Sequence, residues 1–165
     1  MNRRSFITYA SLLGGSAALQ GSHTFTASAK PNERRKNIRS REMHADVIII
    51  GGGLGGCAAA LASCRNGLNV IMTEETDWIG GQVSQQGVPP DEHQWIESHG
   101  APQSYRDFRN RVREYYRRNY PLTESARERE NLNPGDGSVS RICHEPRVAV
   151  SVLTDMLSPY LSSGK

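Results

Sequence analysis

The chain predicts an α/β fold that opens on a β-α-β unit. Three adjacent features predict it: a short β-branched apolar run, a glycine turn that follows without a spacer, and a small-residue helix leading into a second apolar run. Val47 to Ile50 form the first run, which reads as a strand buried on both faces of a parallel sheet. Gly51, Gly53 and Gly56 then occupy the three glycine places of G-x-G-x-x-G. The first glycine permits a tight turn, the second lets backbone approach a pyrophosphate, and the third lets the helix lie close on the strand. The helix runs from about Gly55 to Arg65 and carries Ala58, Ala59, Ala60, Leu61 and Ala62, with Gly67 to end it. A second strand, Asn69 to Thr73, delivers Glu74, 23 residues after Gly51, where a carboxylate can accept hydrogen bonds from adenosine ribose hydroxyls. Order and spacing agree on an incomplete Rossmann-like nucleotide-binding domain, with a diphosphate as its natural ligand.

Six residues after Glu74 stand Gly80 and Gly81. The run Glu74-Glu75-Thr76-Asp77-Trp78-Ile79-Gly80-Gly81-Gln82 resembles the second fingerprint of flavoproteins with two dinucleotide-binding domains. Val88-Pro89-Pro90-Asp91-Glu92-His93, Tyr115-Tyr116-Arg117-Arg118, Asn131-Leu132-Asn133-Pro134-Gly135 and Cys143-His144-Glu145-Pro146-Arg147-Val148 resemble a group of bacterial FAD-dependent oxidoreductases, many of them exported. The resemblance covers roughly residues 45 to 165. It implies FAD as cofactor, a glycine pair that passes close to it, and a pocket lined by Gln82 to Gln86. It also implies a discontinuous FAD domain whose remaining strands come later in the polypeptide.

Residues 1–29 read as a targeting segment. Asn2-Arg3-Arg4-Ser5-Phe6-Ile7 matches the twin-arginine pattern, an apolar run continues from Ile7 to Leu19, and Ala27-Ser28-Ala29 is an A-x-A cleavage site. The run is broken by Gly14, Gly15 and Ser16 and falls short of the roughly 20 residues that a membrane span needs, so no stable membrane anchor is expected. Export to the periplasm or beyond, through the twin-arginine machinery, is the expected localisation. Cleavage after Ala29 would remove Arg3 and Arg4, leaving 18 basic residues against 17 acidic and a formal charge of +1 instead of +3. Residues 30–44 then form a basic linker, with six basic residues between Lys30 and Arg41. Near-neutral charge gives no reason to expect nucleic acid as a partner.

Residues 45–165 make up the N-terminal part of the FAD-binding domain, with a helical insertion. Gln82 to Gln103 is loop-like. His93 and His99 fall there, spaced by six and so wrong for two ligands on one helical turn, and no metal site is expected. Cys57 and Cys64 lie seven apart on one helix, roughly 10 Å along its axis, too far for a disulfide. Ser104 to Asn119 reads as a helix with Ser104 as N-cap and Asp107 as its partner. Phe108, Val112, Tyr115, Tyr116 and Asn119 form its packing face, with Arg106, Arg109, Arg113 and Arg117 solvated opposite. Such a helix also fits RNA or anionic lipid, but intervening acids offset its charge. Pro121 stops it, and Thr123 caps a short helix running to about Glu130. Ser138 to Cys143 alternates Val139 and Ile142 with polar residues too briefly to assign an element. Pro146 opens a last helix with a stripe of Ala149, Val152, Leu153, Met156 and Tyr160, which Pro159 kinks or ends. His144 and Glu145 would stand at its N-terminus, where a structural role outweighs a catalytic one.

The reading that follows is an FAD-dependent oxidoreductase, or the N-terminal portion of one. Gly51, Gly53 and Gly56 would serve the pyrophosphate, Glu74 the ribose, and Gly80, Gly81 and Gln82 the flavin side, with the small-molecule substrate and catalytic residues unassigned. Two alternatives remain. The first fingerprint and Glu74 serve NAD equally well, which would make a dehydrogenase, although the glycine pair argues against it. A non-catalytic nucleotide-binding fragment is the other.

Overall fold

The computed structural model describes residues 42–163. The targeting segment, its cleavage site and almost all of the basic linker lie outside the described residues. Strand β1 (Val47–Ile50) pairs in parallel with β2 (Val70–Thr73), Val47 opposite Val70 and Ile50 opposite Thr73. Between them runs helix α1 (Leu54–Arg65). Its end is a double hydrogen bond of turn geometry: Gly67, at φ +82°, donates to the Cys64 carbonyl at 2.9 Å, and Leu68 donates to Ser63 at 3.2 Å. Only glycine takes that left-handed conformation without steric cost, so Gly67 stops the helix as its position predicts. The chain continues through a 3₁₀ turn (Gly81–Val83), a long loop, α2 (Gln103–Asn119), α3 (Glu124–Arg127) and α4 (Pro146–Ser162). Among the described residues no helix is long and apolar enough to cross a membrane.

Two packed clusters share α4. Ala60 and Leu61 of α1 meet Leu157, with Ile49, Val70 and Met72 of the sheet against them. Val148, Ala149, Val152 and Leu153 meet Phe108, Val112 and Tyr116 of α2, with Leu132 and Ile142 closing the cluster. Helix α4 is therefore the joint between the β-α-β unit and the helical insertion. It stays helical through Pro159. A proline there leaves the Asp155 carbonyl without its i+4 amide, and the Ser158 hydroxyl donates to that carbonyl at 2.9 Å. The expected stop at Pro159 does not occur.

Several expectations are corrected. Strand β1 is buried on one face only: Ile48 is 62% and Ile50 81% exposed, because α1 covers just one side of a two-stranded sheet. Helix α2 starts at Gln103 with Pro102 as N-cap, not at Ser104, and Asp107 accepts from the Gln103 side chain at 2.7 Å. Asn119 is exposed, and its amide caps the Tyr115 carbonyl at 2.8 Å. Thr123 does cap α3, accepting from the Ala126 amide at 3.3 Å, but that helix ends at Arg127. Ser138 to Cys143, which the sequence left unassigned, is a loop. The Asn133 side chain organises that loop, donating to Gly137 and Ser140 and accepting from the Cys143 amide.

The largest correction concerns the arginines of α2. Arg109 and Arg113 are 2% and 3% exposed. Arg109 donates to both carboxylate oxygens of Glu92 at 3.0 and 3.1 Å and also pairs with Glu97, while Arg113 reaches Glu97 at 2.6 Å and the Leu132 carbonyl at 3.0 Å. Tyr105 adds a hydroxyl to Glu92 at 2.6 Å. Two arginines and two glutamates thus clamp the long loop onto the helix. Arg117 likewise donates to the carbonyls of Arg127, Arg129 and Glu130. These guanidiniums hold loops.

Removing one partner from such a cluster strands the others without a counter-charge. Arg109→Ala should destabilise the fold by about 3–5 kcal/mol, measured as a lower midpoint in urea unfolding, whereas Arg111→Ala, an exposed pair to Asp155, should cost under about 1 kcal/mol. Burial raises the Glu97 pKa, but hydrogen bonds from Arg113 and Arg109 outweigh it and hold the group below its ordinary 4.5. A depressed folded pKa gives stability that is full above the unfolded value and is lost as pH falls through the folded one. Glu97→Gln should therefore lower stability at pH 7 and flatten the loss on acidification below about pH 4.5.

Candidate functional site

The turn from β1 to α1 is built on glycine for three separate reasons. Gly51 adopts φ +99° and donates to the Thr73 carbonyl at 3.1 Å, which ties the turn to the end of β2. A Cβ on Gly56 would lie 2.0 Å from the Gly51 carbonyl oxygen, so any side chain there would push helix and turn apart. Gly53 is different. Its φ of −59° suits any residue, and a Cβ there would have nothing within 4 Å. Neither backbone angle nor packing requires glycine there, as is also true of Gly55 two residues on. The first bond into the helix runs from Cys57 N–H to the Gly53 carbonyl at 2.9 Å, and the amides of Leu54, Gly55 and Gly56 lie ahead of it. Open backbone at the positive end of a 12-residue helix fits a pyrophosphate.

Glu74 follows β2 and turns back onto this loop. Its Oε2 accepts from the Gly52 amide at 2.9 Å, and its Oε1 accepts from the Thr76 amide at 3.0 Å and the Thr76 hydroxyl at 2.8 Å. These bonds, those from Thr76 foremost, hold the carboxyl below its ordinary value, so it is charged at neutral pH. Gly52 is a glycine for this contact: a Cβ there would meet Oε2 at 2.9 Å and Ile79 at 3.2 Å. Behind the turn, Cys57 is buried and its thiol faces the Gly52 carbonyl at 3.3 Å; burial pushes it up to about 11. It fills space as a neutral group, as its place on the helix predicts. Cys64 and Cys143 are also buried and free.

The glycine pair packs directly on the first turn. Gly80 donates to the Gly52 carbonyl at 2.8 Å, and Gly53 and Gly80 form a parallel bridge. Both Gly80 (φ +111°) and Gly81 (φ +57°) are left-handed, and a Cβ on Gly81 would lie 3.2 Å from the Gly53 Cα. Ser84, fully buried, donates to the Ile79 carbonyl at 2.6 Å and closes the 3₁₀ turn behind them. Gly51, Gly53, Gly56, Glu74, Gly80 and Gly81 are thus brought together around the β1–α1 turn. Gln82 follows, exposed, its amide 3.5 Å from the Pro89 carbonyl.

Other polar residues stand apart from this turn. His93 and His99 flank Trp95 on the exposed loop, with ring centroids about 6 Å apart. Among the described residues no three His, Cys, Asp or Glu side chains come together as a metal centre. Glu145 is the N-cap of α4. Its amide donates to the Tyr116 hydroxyl at 2.8 Å and its carboxylate accepts from Tyr120, so both ends are used in holding α4 to α2. His144 pairs Nδ1 with the Ile142 carbonyl at 2.9 Å and buries Nε2 without a partner. Sequence reading passed over Gly52 and Thr76. The triple glycine and the hydroxyl two residues after Glu74 were the available signals.

A sequence profile for FAD dependent oxidoreductases matches residues 46–163. Squalene epoxidase erg1 of Aspergillus fumigatus is 47% identical over 53 residues, which is 30% of this chain and 11% of that protein. FAD-dependent monooxygenase atnJ of Arthrinium sp is 35% identical over 57 residues, 34% of this chain and 14% of that protein. The chain thus spans only about a ninth to a seventh of the length of these curated relatives. No solved structure matches it. With the profile extending over most of its length, and with a glycine turn and returning carboxylate that fit a dinucleotide, the chain belongs to the FAD dependent oxidoreductase family, and its cofactor is FAD.

Proposed function

We propose that this chain supplies the adenosine diphosphate end of the FAD site in an exported, flavin-dependent oxidoreductase of the bacterial group it resembles. The observation that carries the site assignment is the unfilled space at Gly53 beside the Glu74 carboxylate, since packing alone gives no reason for glycine there. Gly51 and Gly56 set the turn, Gly53 admits the pyrophosphate to the helix amides, and Glu74 accepts from the ribose. Gly80 and Gly81 steer the backbone past the cofactor toward Gln82. Bound FAD supplies hydride and electron transfer at its flavin ring. The small-molecule substrate is met by parts of the protein outside the span shared with the relatives. The twin-arginine pattern at Arg3 and Arg4 supports export of the folded, cofactor-loaded protein to the periplasm or beyond, with the mature chain starting at Lys30.

Two glycine variants separate folding from binding. Gly53→Val should keep the thermal midpoint within a few degrees and abolish FAD binding in a fluorescence titration; unchanged FAD affinity overturns the assignment. Gly56→Ala should lower stability by more than about 2 kcal/mol, since the clash is with backbone that cannot rotate away. Titration of the wild-type chain should favour FAD over NAD, and equal weak binding of FAD, NAD and ADP would leave only a nucleotide-binding module. For export, intact-mass analysis of protein from the cell envelope should find an N-terminus at Lys30. Arg3→Lys with Arg4→Lys should keep the protein in the cytoplasm, and unimpaired export of that variant would remove the twin-arginine reading.

A further inference from the structure

Resting on the FAD reading above, the geometry points to Thr76 as a positioning residue for the adenosine ribose. It occupies Oε1 of Glu74 and leaves one lone pair on Oε2 as the acceptor, so that the site reads a single ribose hydroxyl instead of both. A carboxylate offers about four acceptor positions, two on each oxygen. Oε1 already takes two donors, the Thr76 amide at 3.0 Å and its hydroxyl at 2.8 Å. Oε2 takes one, the Gly52 amide at 2.9 Å. Among the described residues these are the donors that reach the carboxylate with ordinary hydrogen-bond geometry, and they leave one position on Oε2, the oxygen hydrogen-bonded to the glycine loop.

The hydroxyl proton of Thr76 has two acceptors in reach, Glu74 Oε1 at 2.8 Å and the Trp78 carbonyl at 3.0 Å. The charged oxygen is both nearer and the stronger acceptor. The Trp78 amide in turn approaches the Thr76 oxygen at 3.4 Å, so the hydroxyl is held from two sides and directs its proton at Glu74. The depressed Glu74 pKa, with Thr76 its foremost cause, agrees with that direction. Four residues after Thr76, Gly80 donates to the Gly52 carbonyl, so the stretch that holds the carboxylate leads directly into the glycine pair.

The test uses ADP and its 2′-deoxy and 3′-deoxy forms, titrated calorimetrically into the full chain. In the wild type one deoxy form should bind about tenfold more weakly than ADP and the other nearly as well, as loss of one hydrogen bond to a charged acceptor implies. Thr76→Val keeps the shape and the backbone amide and removes only the hydroxyl. It should weaken ADP several-fold and shrink the difference between the two deoxy forms, Thr76→Ser should restore both, and in a Glu74→Gln background Thr76→Val should add nothing. Equal losses for the two deoxy forms in the wild type would overturn the inference without recourse to any variant. Full ADP affinity with an undiminished deoxy difference in Thr76→Val would do so as well. Failure of the wild type to bind ADP or FAD at all would instead remove the FAD reading beneath it, so the two failures are told apart.

Discussion

The constraint on which the site depends is the approach of two backbone segments with no side chain between them. Gly80 donates to the Gly52 carbonyl, and the Gly81 backbone sits against the Gly53 Cα. A Cβ on Gly81 would press on the Gly53 Cα, and one on Gly52 would run into the Glu74 carboxylate that the Gly52 amide anchors. The first glycine motif and the second are therefore halves of one object. Each makes physical sense only in the presence of the other.

Around this object the chain uses two kinds of adhesive. The β-α-β unit is held by apolar residues of α1, the small Ala60 and Cys64 letting helix and sheet approach and Leu61 packing between them. The helical insertion is held by larger side chains and by charge: Phe108, Val112 and Ile142 are nearly or fully buried, and Arg109 and Arg113 neutralise Glu92 and Glu97 beside them. Buried charge is costly unless paired, and each of the two buried guanidiniums has a carboxylate against it. Helix α4 joins the two regions, with Leu157 on one side and Val148, Ala149 and Val152 on the other.

The site also shows two uses of glycine that composition cannot separate. Gly56 and Gly80 are required by neighbouring atoms of the chain itself, whereas Gly53 faces open space. Thr76 stands apart from the acids around it, because its hydrogen bonds converge on the single carboxylate that faces the glycine turn.

By itself the sequence determined what neighbours along the chain control. The glycine turn, the stop at Gly67, the Thr123 cap, the proline start of α4 and the delivery of Glu74 at the end of β2 depend on conformations a few residues long, and side-chain chemistry encodes those directly. Only the tertiary structure decided which groups lose water. Arg109 and Arg113 look like one face of an amphipathic helix until Glu92 and Glu97, 12 to 17 residues away, fold over them. Ile48 and Ile50 look like core until the sheet proves to be covered on one side. Desolvation and pairing are set by what arrives from elsewhere in the chain, and local periodicity carries no information about that.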